Sequence, residues 1–235
     1  MSKLQRITIN RSQLQETQLL LTPQQQHYLL RVLRSRDGDK FIAMDGMGNC
    51  WLAKLIGEQG QILKPLEVTT ELPISITLMV ALPKGNGFDD VIRCCTELGV
   101  TCILPTLSDH TLLNPSPQKV ERWRRIALEA AEQSERAFIP MILEPVAFST
   151  AINEYACIHR YICEARGNYP HLTTVCNKLS GEIIIAIGPE GGWTDQELEI
   201  AIKSGFQPIS LGRRILRAVT APIVALSLIA AACEV

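Results

Sequence analysis

Residues 182–197 read EIIIAIGPEGGWTDQE, and this stretch indicates the architecture of most of the chain. The continuous apolar run EIIIAI is typical of a strand that is buried on both faces of a parallel sheet. Thr194 and Glu197 have the spacing of a capping box, which predicts a helix that begins after Thr194 and ends near Gly205. A strand, a glycine loop and a helix in succession predict an α/β domain with a mainly parallel sheet.

The residues that follow repeat this arrangement. QPISLG (207–212) predicts a strand, RRILRAV (213–219) predicts a loop, and Thr220-Ala221-Pro222 predicts the start of an apolar C-terminal helix. The glycines after the strand EIIIAI let backbone atoms approach a ligand closely, and ligands bind at the carboxyl ends of such strands. The two loops therefore predict a ligand site.

The upstream part of the chain continues the α/β pattern. ISITLMVAL (74–82) and CILP (102–105) predict buried strands, and Phe88–Leu98 predicts a helix closed by Gly99. A long helix is predicted from Pro117 to about Glu135, in which Val120, Trp123, Ala127 and Ala130 form an apolar stripe and Glu129 and Gln133 share a solvated face.

The first 70 residues differ from the rest. Short alternating stretches such as RITI and KFIAMDG, with turn signals such as Asp37-Gly38, predict a small and mostly β module. Around Glu71 to Pro73 the pattern changes from short alternating stretches to the long apolar run ISITLMVAL, so we predict two domains, residues 1–70 and 73–235. Residues 1–70 carry a net charge of +3 and residues 71–235 a net charge of −4, and a basic module beside an acidic body suits contact with a polyanion.

Several broad classes of protein are disfavoured by composition. The chain has 46% hydrophobic and 20% charged residues, which is ordinary for a globular protein. It has neither a long uncharged apolar run nor a signal peptide pattern, so we expect a cytoplasmic protein that makes no contact with membranes. Its eight cysteines form no C-x-x-C pair, so we expect buried free thiols and no metal site.

The glycine loop excludes the commonest nucleotide motifs. Gly188, Gly191 and Gly192 do not have the G-x-G-x-x-G spacing, and no G-K-[ST] follows, so a dinucleotide or nucleoside triphosphate site is disfavoured. Glu190 would repel phosphate beside a helix N-terminus, but it could face a cationic ligand or accept a hydrogen bond from a ribose. A tight turn with a surface glutamate is the alternative interpretation of the same residues.

Five segments resemble one known family, the small-subunit rRNA uridine-N3 methyltransferases (RsmE type) of the SPOUT superfamily. They are HYLLRVLRSRDGD (27–39), LPKGNGFDDVIRCCTELGV (82–100), RWRRIALEAAEQSERAFIP (122–140), IAIGPEGGWTDQE (185–197) and LGRRILRAVTA (211–221). The resemblance implies a small PUA-like RNA-binding β-barrel, followed by a SPOUT α/β domain with a C-terminal trefoil knot. It also implies a homodimer that acts on 16S rRNA or the small ribosomal subunit with S-adenosyl-L-methionine as cofactor.

The resemblance also assigns site residues. The residues expected to bind the cofactor are Glu164, Gly188, Pro189, Glu190, Gly191, Gly192, Leu211, Gly212, Ile215, Leu216, Arg217, Thr220 and Ala221. Glu190 and Arg217 are the candidate catalytic residues, for proton or hydrogen-bond work and for anchoring the base or a phosphate. Arg6, Arg31, Arg34 and Lys84 are the candidates for holding RNA phosphates, with a solvated helix face as the alternative for Arg31 and Arg34.

The chain departs from the family pattern at one place. Members usually read ILRTETA where this chain reads ILRAVTA, so Ala218 and Val219 lack a hydroxyl and a carboxylate. If those groups cap the last helix, their loss costs about 1 kcal/mol; if they orient the uridine or accept its proton, activity is affected. The alternative hypotheses are an RNA-binding protein of this fold with weakened or lost catalysis, and a metabolic enzyme that uses a nucleotide cofactor.

Overall fold

The computed structural model describes residues 4–111, 114–155, 157–176 and 180–234. The chain forms two compact units. The first comprises Met1–Glu71 and Ala131–Ile139, and the second comprises Leu72–Ala130 and Pro140–Val235. Nothing in the sequence of 131–139 indicates that it belongs to the first unit, because this segment carries only the pattern of the end of a long helix.

The first unit is mostly β, as its sequence predicts. Its elements are β1 Arg6–Thr8, a 3-10 turn Arg11–Gln13, β2 Leu14–Gln15, β3 Gln18–Leu19, α1 Pro23–His27, a π-helical turn Tyr28–Val32, β4 Lys40–Met44, β5 Cys50–Ile56 and β6 Gln59–Leu66. The six strands form one sheet in the order β1-β4-β5-β6-β3-β2, in which only the β1–β4 pair is parallel. Alternating side chains such as Phe41, Ala43, Ala53 and Leu55 form its core.

A buried arginine fixes the residues after the long helix within the first unit. Arg136 is 4% exposed, and its Nη2 donates to Glu71 Oε2 at 2.7 Å. Glu71 Oε1 also accepts the backbone N–H of Ala137 at 3.0 Å. Hydrogen bonds to a buried charged pair are strong and hard to replace, so this pair ties two distant segments of the chain together.

The second unit alternates strands and helices. Its elements are β7 Ser75–Ala81, α2 Gly87–Glu97, β8 Cys102–Leu107, α3 Pro117–Gln133, β9 Met141–Ile142, β10 Val146–Ala147, α4 Phe148–Glu154, β11 His159–Cys163, α5 Thr173–Cys176, β12 Glu182–Ile187, α6 Asp195–Lys203, β13 Gln207–Ile209 and α7 Thr220–Cys233. Its sheet has the order β10-β8-β7-β12-β11-β13, with β9 also paired to β8, and every pairing is parallel. The predicted α/β architecture with a mainly parallel sheet is confirmed.

The order of the last three strands brings three strand ends together. The chain runs from β12 through α6 to β13, which pairs with β11 and not with β12. Cys163, the last residue of β11, is therefore the register partner of both Ile187 and Ile209, the last residues of β12 and β13. The loops that follow these strands consequently begin side by side at one edge of the sheet.

The predicted faces of α3 are also confirmed. Val120, Trp123, Ala127 and Ala130 are buried, whereas Glu129 and Gln133 are exposed. The indole N–H of Trp123 donates to Asp89 Oδ1 at 3.1 Å, and its ring lies edge-on to Phe88, with 4.5 Å between centroids. The long helix therefore packs on α2 through its apolar stripe.

All eight cysteines are free thiols, of which Cys50, Cys95, Cys102 and Cys176 are buried and the other four are partly buried. Among the described residues, no helix is both long and apolar enough to span a membrane. No group of three or more histidine, cysteine or acidic side chains in the described ranges is arranged to hold a metal ion.

Candidate functional site

A cavity of about 280 Å³ lies in the second unit, where the loops after β11, β12 and β13 meet. It is lined by Cys163, Glu164, Ala165, Arg166, Tyr169, Ile187, Gly188, Pro189, Glu190, Gly191, Gly192, Trp193, Asp195, Leu198, Leu211, Gly212, Arg214, Ile215, Leu216, Ala218 and Ala221. Strand ends that are aligned in register thus place three separate loops around one cavity, at the edge where ligands bind in parallel sheets.

The ring of Trp193 supports the glycine loop (Gly188–Gly192). The indole N–H of Trp193 donates to the carbonyl oxygen of Cys163 at 3.2 Å, and the ring stacks on Phe148 with 4.2 Å between centroids. A Cβ atom at Gly188 would lie 3.1 Å from the indole ring, so a side chain there would crowd the tryptophan. Gly188 therefore lets the backbone pass close over a buried ring.

A buried carboxylate fixes the far end of this loop. Glu197 is 7% exposed, and its Oε2 accepts the backbone N–H of Thr194 at 2.9 Å in the predicted capping box. Its Oε1 accepts the backbone N–H of Asp109 at 2.9 Å, and Thr194 Oγ1 donates to Asp109 Oδ2 at 3.2 Å. Glu197 thus joins the start of α6 to the turn after β8.

Two further contacts hold the glycine loop. The backbone N–H of Lys84 donates to Glu190 Oε1 at 3.0 Å, which links this exposed glutamate to the segment after β7. The ring Nδ1 of His110 lies 3.0 Å from the carbonyl oxygen of Gly192. Gly192 has a φ of +74°, and its N–H donates to Pro189 O at 2.9 Å, so the loop closes as a tight turn.

The C-terminal loop (Leu211–Ala221) is held differently. Ser210 Oγ accepts the N–H of Gly212 at 3.1 Å, and the carbonyl oxygen of Arg217 accepts the N–H groups of Thr220 and Ala221 at 2.9 Å. These hydrogen bonds join residues only two to four positions apart. Val219 precedes α7 without a capping hydrogen bond from its side chain.

The loop after β11 completes the cavity. The N–H of Glu164 donates to Ile209 O at 2.9 Å, and the N–H of Arg166 donates to Glu164 Oε1 at 2.7 Å. Burial raises the pKa of the Cys163 thiol, so the thiol stays protonated at neutral pH and is a poor nucleophile. Covalent chemistry at this cysteine is therefore disfavoured.

The cavity carries charges of both signs. Glu164, Glu190 and Asp195 line it together with Arg166 and Arg214, beside apolar surface from Ile187, Leu198, Ile215 and Leu216. Carboxylates suit a cationic group or hydroxyls, and guanidinium groups suit a carboxylate or phosphate. The arrangement can therefore accommodate a zwitterionic ligand with an apolar part.

Most of the residues expected to bind a cofactor lie at this cavity. Those that line it are Glu164, Gly188, Pro189, Glu190, Gly191, Gly192, Leu211, Gly212, Ile215, Leu216 and Ala221. Arg217 and Thr220 are outside the lining set; Arg217 is exposed, and Thr220 is the first residue of α7. Both nevertheless belong to the C-terminal loop, in which the N–H of Thr220 donates to the carbonyl oxygen of Arg217.

Sequence reasoning missed part of the lining. Arg166 and Tyr169 lie in the loop after β11, whose position depends on the pairing of β13 with β11. Trp193 and Arg214 were within quoted motifs but were given no role. His110, which contacts the glycine loop but is outside the lining set, was also missed, because it is distant in sequence from both loops. Its sequence signal is only its place just after a buried strand.

The candidate RNA-binding residues have unequal environments. Arg31 and Arg34 are exposed in the first unit, and Lys84 is exposed in the second. The side chain of Arg6 is only 9% exposed, and its Nη2 donates to Glu135 Oε2 at 2.8 Å. This burial favours a structural role for Arg6 within the first unit and leaves its guanidinium little access to a phosphate.

Comparisons with known proteins agree on one kind of protein. A family described as RNA methyltransferase domain matches residues 70–230, and a family described as RNA methyltransferase PUA domain matches residues 21–64. The ribosomal RNA small subunit methyltransferase E of Synechocystis sp. is 47% identical over 97% of this chain and 78% of its own length. The Bacillus subtilis protein of the same name is 29% identical over 95% of this chain and 94% of its length.

Solved structures are similar over nearly the whole chain. The ribosomal RNA small subunit methyltransferase E of Neisseria gonorrhoeae, bound to S-adenosyl methionine, has a TM-score of 0.86 at 30% identity and covers 96% of both chains. A Legionella pneumophila methyltransferase in complex with the same cofactor has a TM-score of 0.87 at 28% identity and covers 98% of both chains.

Proposed function

Because the chain belongs to the ribosomal RNA small subunit methyltransferase E family, we propose that it methylates N3 of a uridine in 16S rRNA with S-adenosyl-L-methionine as methyl donor. The observation that carries the proposal is the cavity formed by three aligned strand ends within the RNA methyltransferase domain. The PUA domain match in the first unit supports an RNA substrate. The family's name supplies the small-subunit rRNA, and the sequence resemblance supplies the N3 position.

The residues at the cavity fit this cofactor. S-adenosylmethionine supplies a methyl group that is electrophilic because its sulfur is a sulfonium cation. The carboxylates of Glu164, Glu190 and Asp195 suit the sulfonium and the ribose hydroxyls, and Arg166 suits the methionine carboxylate. A Cβ at Gly188 or Gly191 would lie 3.0–3.1 Å from the ring of Trp193 or His110, so the glycines let the backbone of the lining pass close to these rings.

We assign cofactor contacts to the residues expected from sequence. Backbone atoms of Gly188–Gly192 and Leu211–Ala221 hold the adenosine and methionine parts, and Ile215 and Leu216 pack on the base. Ile215 is 73% exposed, so a ligand that covers it would bury apolar surface. Glu190 and Arg217 remain the proposed catalytic residues, with Glu190 already oriented by the Lys84 N–H.

RNA binding is assigned to exposed cations on both units. Arg31 and Arg34 follow α1 in the PUA domain, and Lys84 follows β7 in the methyltransferase domain. Contacts of this kind hold phosphates without reading sequence and make affinity fall with salt. Affinity falls as salt rises, so the slope of log affinity against log salt concentration is negative. Removing any one of the three side chains makes this slope less steep by about one.

The proposal includes a homodimer, a trefoil knot around the cofactor and a cytoplasmic location. Support for the dimer comes from α7, whose sequence TAPIVALSLIAAAC is apolar on all sides. A helix of this kind is normally buried, yet Ile223, Val224 and Leu228 are only partly covered. A second copy would cover them, and light scattering of the purified protein measures whether the mass is that of two chains.

The reaction is tested with small subunits or 16S rRNA from cells that lack the gene. The purified protein and S-adenosylmethionine are expected to produce N3-methyluridine, measured by mass spectrometry of rRNA nucleosides. Appearance of another methylated nucleoside, or persistence of N3-methyluridine in rRNA after deletion of the gene, would contradict the proposal.

A second candidate function follows from Ala218 and Val219. Ala218 lines the cavity, and Val219 is the next residue of the chain. At these two positions the family usually has a hydroxyl and a carboxylate. An RNA-binding protein with weakened or lost catalysis would bind 16S rRNA but transfer no methyl group under the same conditions. A single assay of binding and transfer on one RNA separates the two functions.

A further inference from the structure

His110 lies in a closed turn at the same edge of the sheet as the glycine loop. The turn follows β8, and it is held by the N–H of Thr111, which donates to Ser108 O at 2.9 Å. The hydroxyl groups of Ser108 and Thr111 are 3.0 Å apart. The turn therefore has a defined geometry while the imidazole itself is exposed.

The imidazole rests directly on the glycine loop. A Cβ added to Gly191 would lie 3.0 Å from Cγ and Nδ1 of the ring, so a side chain there would crowd the imidazole. Glu197 holds the neighbouring Asp109 through its N–H, and Asp109 in turn accepts from Thr194. The turn and the glycine loop are thus joined on both sides of His110.

The contact with Gly192 determines which ring nitrogen carries the proton. A carbonyl oxygen can only accept, so Nδ1, at 3.0 Å from Gly192 O, carries the hydrogen in the neutral ring. Nε2 then has the free lone pair and is a proton acceptor. It belongs to a ring in contact with Gly191 and Gly192, whose atoms line the cavity.

Charged residues of both signs lie in the segments around His110. Its own turn contributes Asp109, the glycine loop contributes Glu190, and the start of α6 contributes Asp195 and the buried Glu197. The segment after β7 adds the cation Lys84, whose backbone N–H donates to Glu190.

We propose that Nε2 of His110 is the base that accepts the N3 proton of the target uridine, an inference that rests on the proposed function. The proton passes from N3 to Nε2 as the N3 electron pair forms the bond to the methyl carbon. The electron pair of the broken carbon–sulfur bond stays on sulfur, and the imidazolium later releases its proton to water. Imidazole titrates near neutral pH, whereas a carboxylate such as Glu190 is a weaker base.

The test compares His110→Asn with His159→Asn. Asparagine at 110 can still donate to Gly192 O but has no basic nitrogen, and His159 lies at the opposite, amino end of β11. His110→Asn is expected to lower kcat about 100-fold with the Kd for S-adenosylmethionine and the thermal midpoint unchanged. His159→Asn is expected to keep the wild-type kcat.

Three readouts separate a base from a structural role. The wild-type kcat falls as pH decreases below neutrality, His110→Asn lacks this dependence, and added imidazole raises the kcat of His110→Ala at least about tenfold. In the free protein, ¹⁵N NMR of His110 shows the tautomer with hydrogen on Nδ1. An Nε2–H tautomer, full activity of His110→Asn, or a loss of activity that imidazole does not restore overturns the proposal.

Failure of the underlying function gives a different result. If the wild-type protein forms no N3-methyluridine, the proposed function and the role of His110 both fail. If the wild type is active and His110→Asn is equally active, only the role of His110 fails.

Discussion

The glycine loop and the C-terminal loop border the same cavity but are held by different kinds of contact. The glycine loop and its flank are joined by side chains to the ends of β7, β8 and β11, through Glu190, His110 and Trp193. Within the described residues, the hydrogen bonds of the C-terminal loop itself are local. Ser210, just before the loop, donates its N–H to Pro170 O and accepts the N–H of Leu172, and within the loop Val219 packs on Gly87. One wall of the site is therefore held by side-chain hydrogen bonds to other segments, and the other by local hydrogen bonds and packing.

The largest expected effect concerns the buried carboxylate behind the glycine loop. Glu197→Ala leaves the N–H groups of Thr194 and Asp109 without their acceptor, so the free energy of unfolding falls by about 2–3 kcal/mol. Chemical denaturation measures this change. Glu199→Ala, in the same helix but on its exposed face, is the matched control and leaves the unfolding midpoint within error. Equal effects of the two variants would remove the basis for the contrast between the loops.

Packing in the C-terminal loop is tested at the contact between Gly87 and Val219. A Cβ at Gly87 would lie 2.5 Å from Val219 Cγ1, and valine has little rotamer freedom to move away. Gly87→Ala is therefore expected to cost about 1–2 kcal/mol. Adding Val219→Ala to Gly87→Ala recovers most of this loss, and a double-mutant cycle measures the coupling. Additive effects of the two substitutions would show that the contact does not support the loop.

The link from the glycine loop to β11 predicts a smaller effect. Trp193→Phe keeps the stacking on Phe148 but removes the N–H that donates to Cys163 O, at a cost of about 1 kcal/mol. Because Gly188 lies on this ring, the affinity for S-adenosylmethionine falls as well, measured by calorimetry. Trp51→Phe in the first unit changes stability alone, and a normal cofactor affinity in Trp193→Phe would contradict the link.

The smallest expected effect is at Glu190. Glu190→Gln keeps an oxygen that accepts the Lys84 N–H, so the free energy of unfolding stays near the wild-type value. Glu190→Ala loses this hydrogen bond and about 0.5–1 kcal/mol. Activity provides a second comparison: if Glu190 accepts the proton, Glu190→Gln is inactive, and if His110 accepts it, Glu190→Gln retains most of its kcat.

Several elements were predictable because their signals are local. The capping box of Thr194 and Glu197 identified the start of α6, and the apolar stripe of α3 identified its buried face. Capping and periodicity act over one or two helical turns, so a sequence reports them directly. Val219 stands at the N-cap position of α7 with helical backbone angles and no capping hydrogen bond from its side chain; that the family's usual carboxylate caps this helix stays a prediction.

Other features had no local signal. The sequence around Arg6 predicts an exposed cation. In the structure its side chain is largely buried, and its guanidinium donates to Glu135, more than 100 residues away. Nothing in the sequence near His110 indicates a contact with the glycine loop. The fold brings the turn after β8 to this loop, where the His110 ring lies against Gly192 O. Contacts between residues so far apart depend on which strands pair, and no pattern within either segment encodes that choice.

The amino-acid order was sufficient to predict the succession of strands, glycine-containing loops and capped helices, because each depends on neighbours a few residues away. Tertiary structure alone placed β13 beside β11, so that Cys163 aligns with both Ile187 and Ile209 and three loops surround one cavity. Parallel strands are joined by long crossovers, and their order follows from how helices and sheet bury apolar surface together. The two loops are visible in the sequence, whereas the site they form exists only in the folded protein.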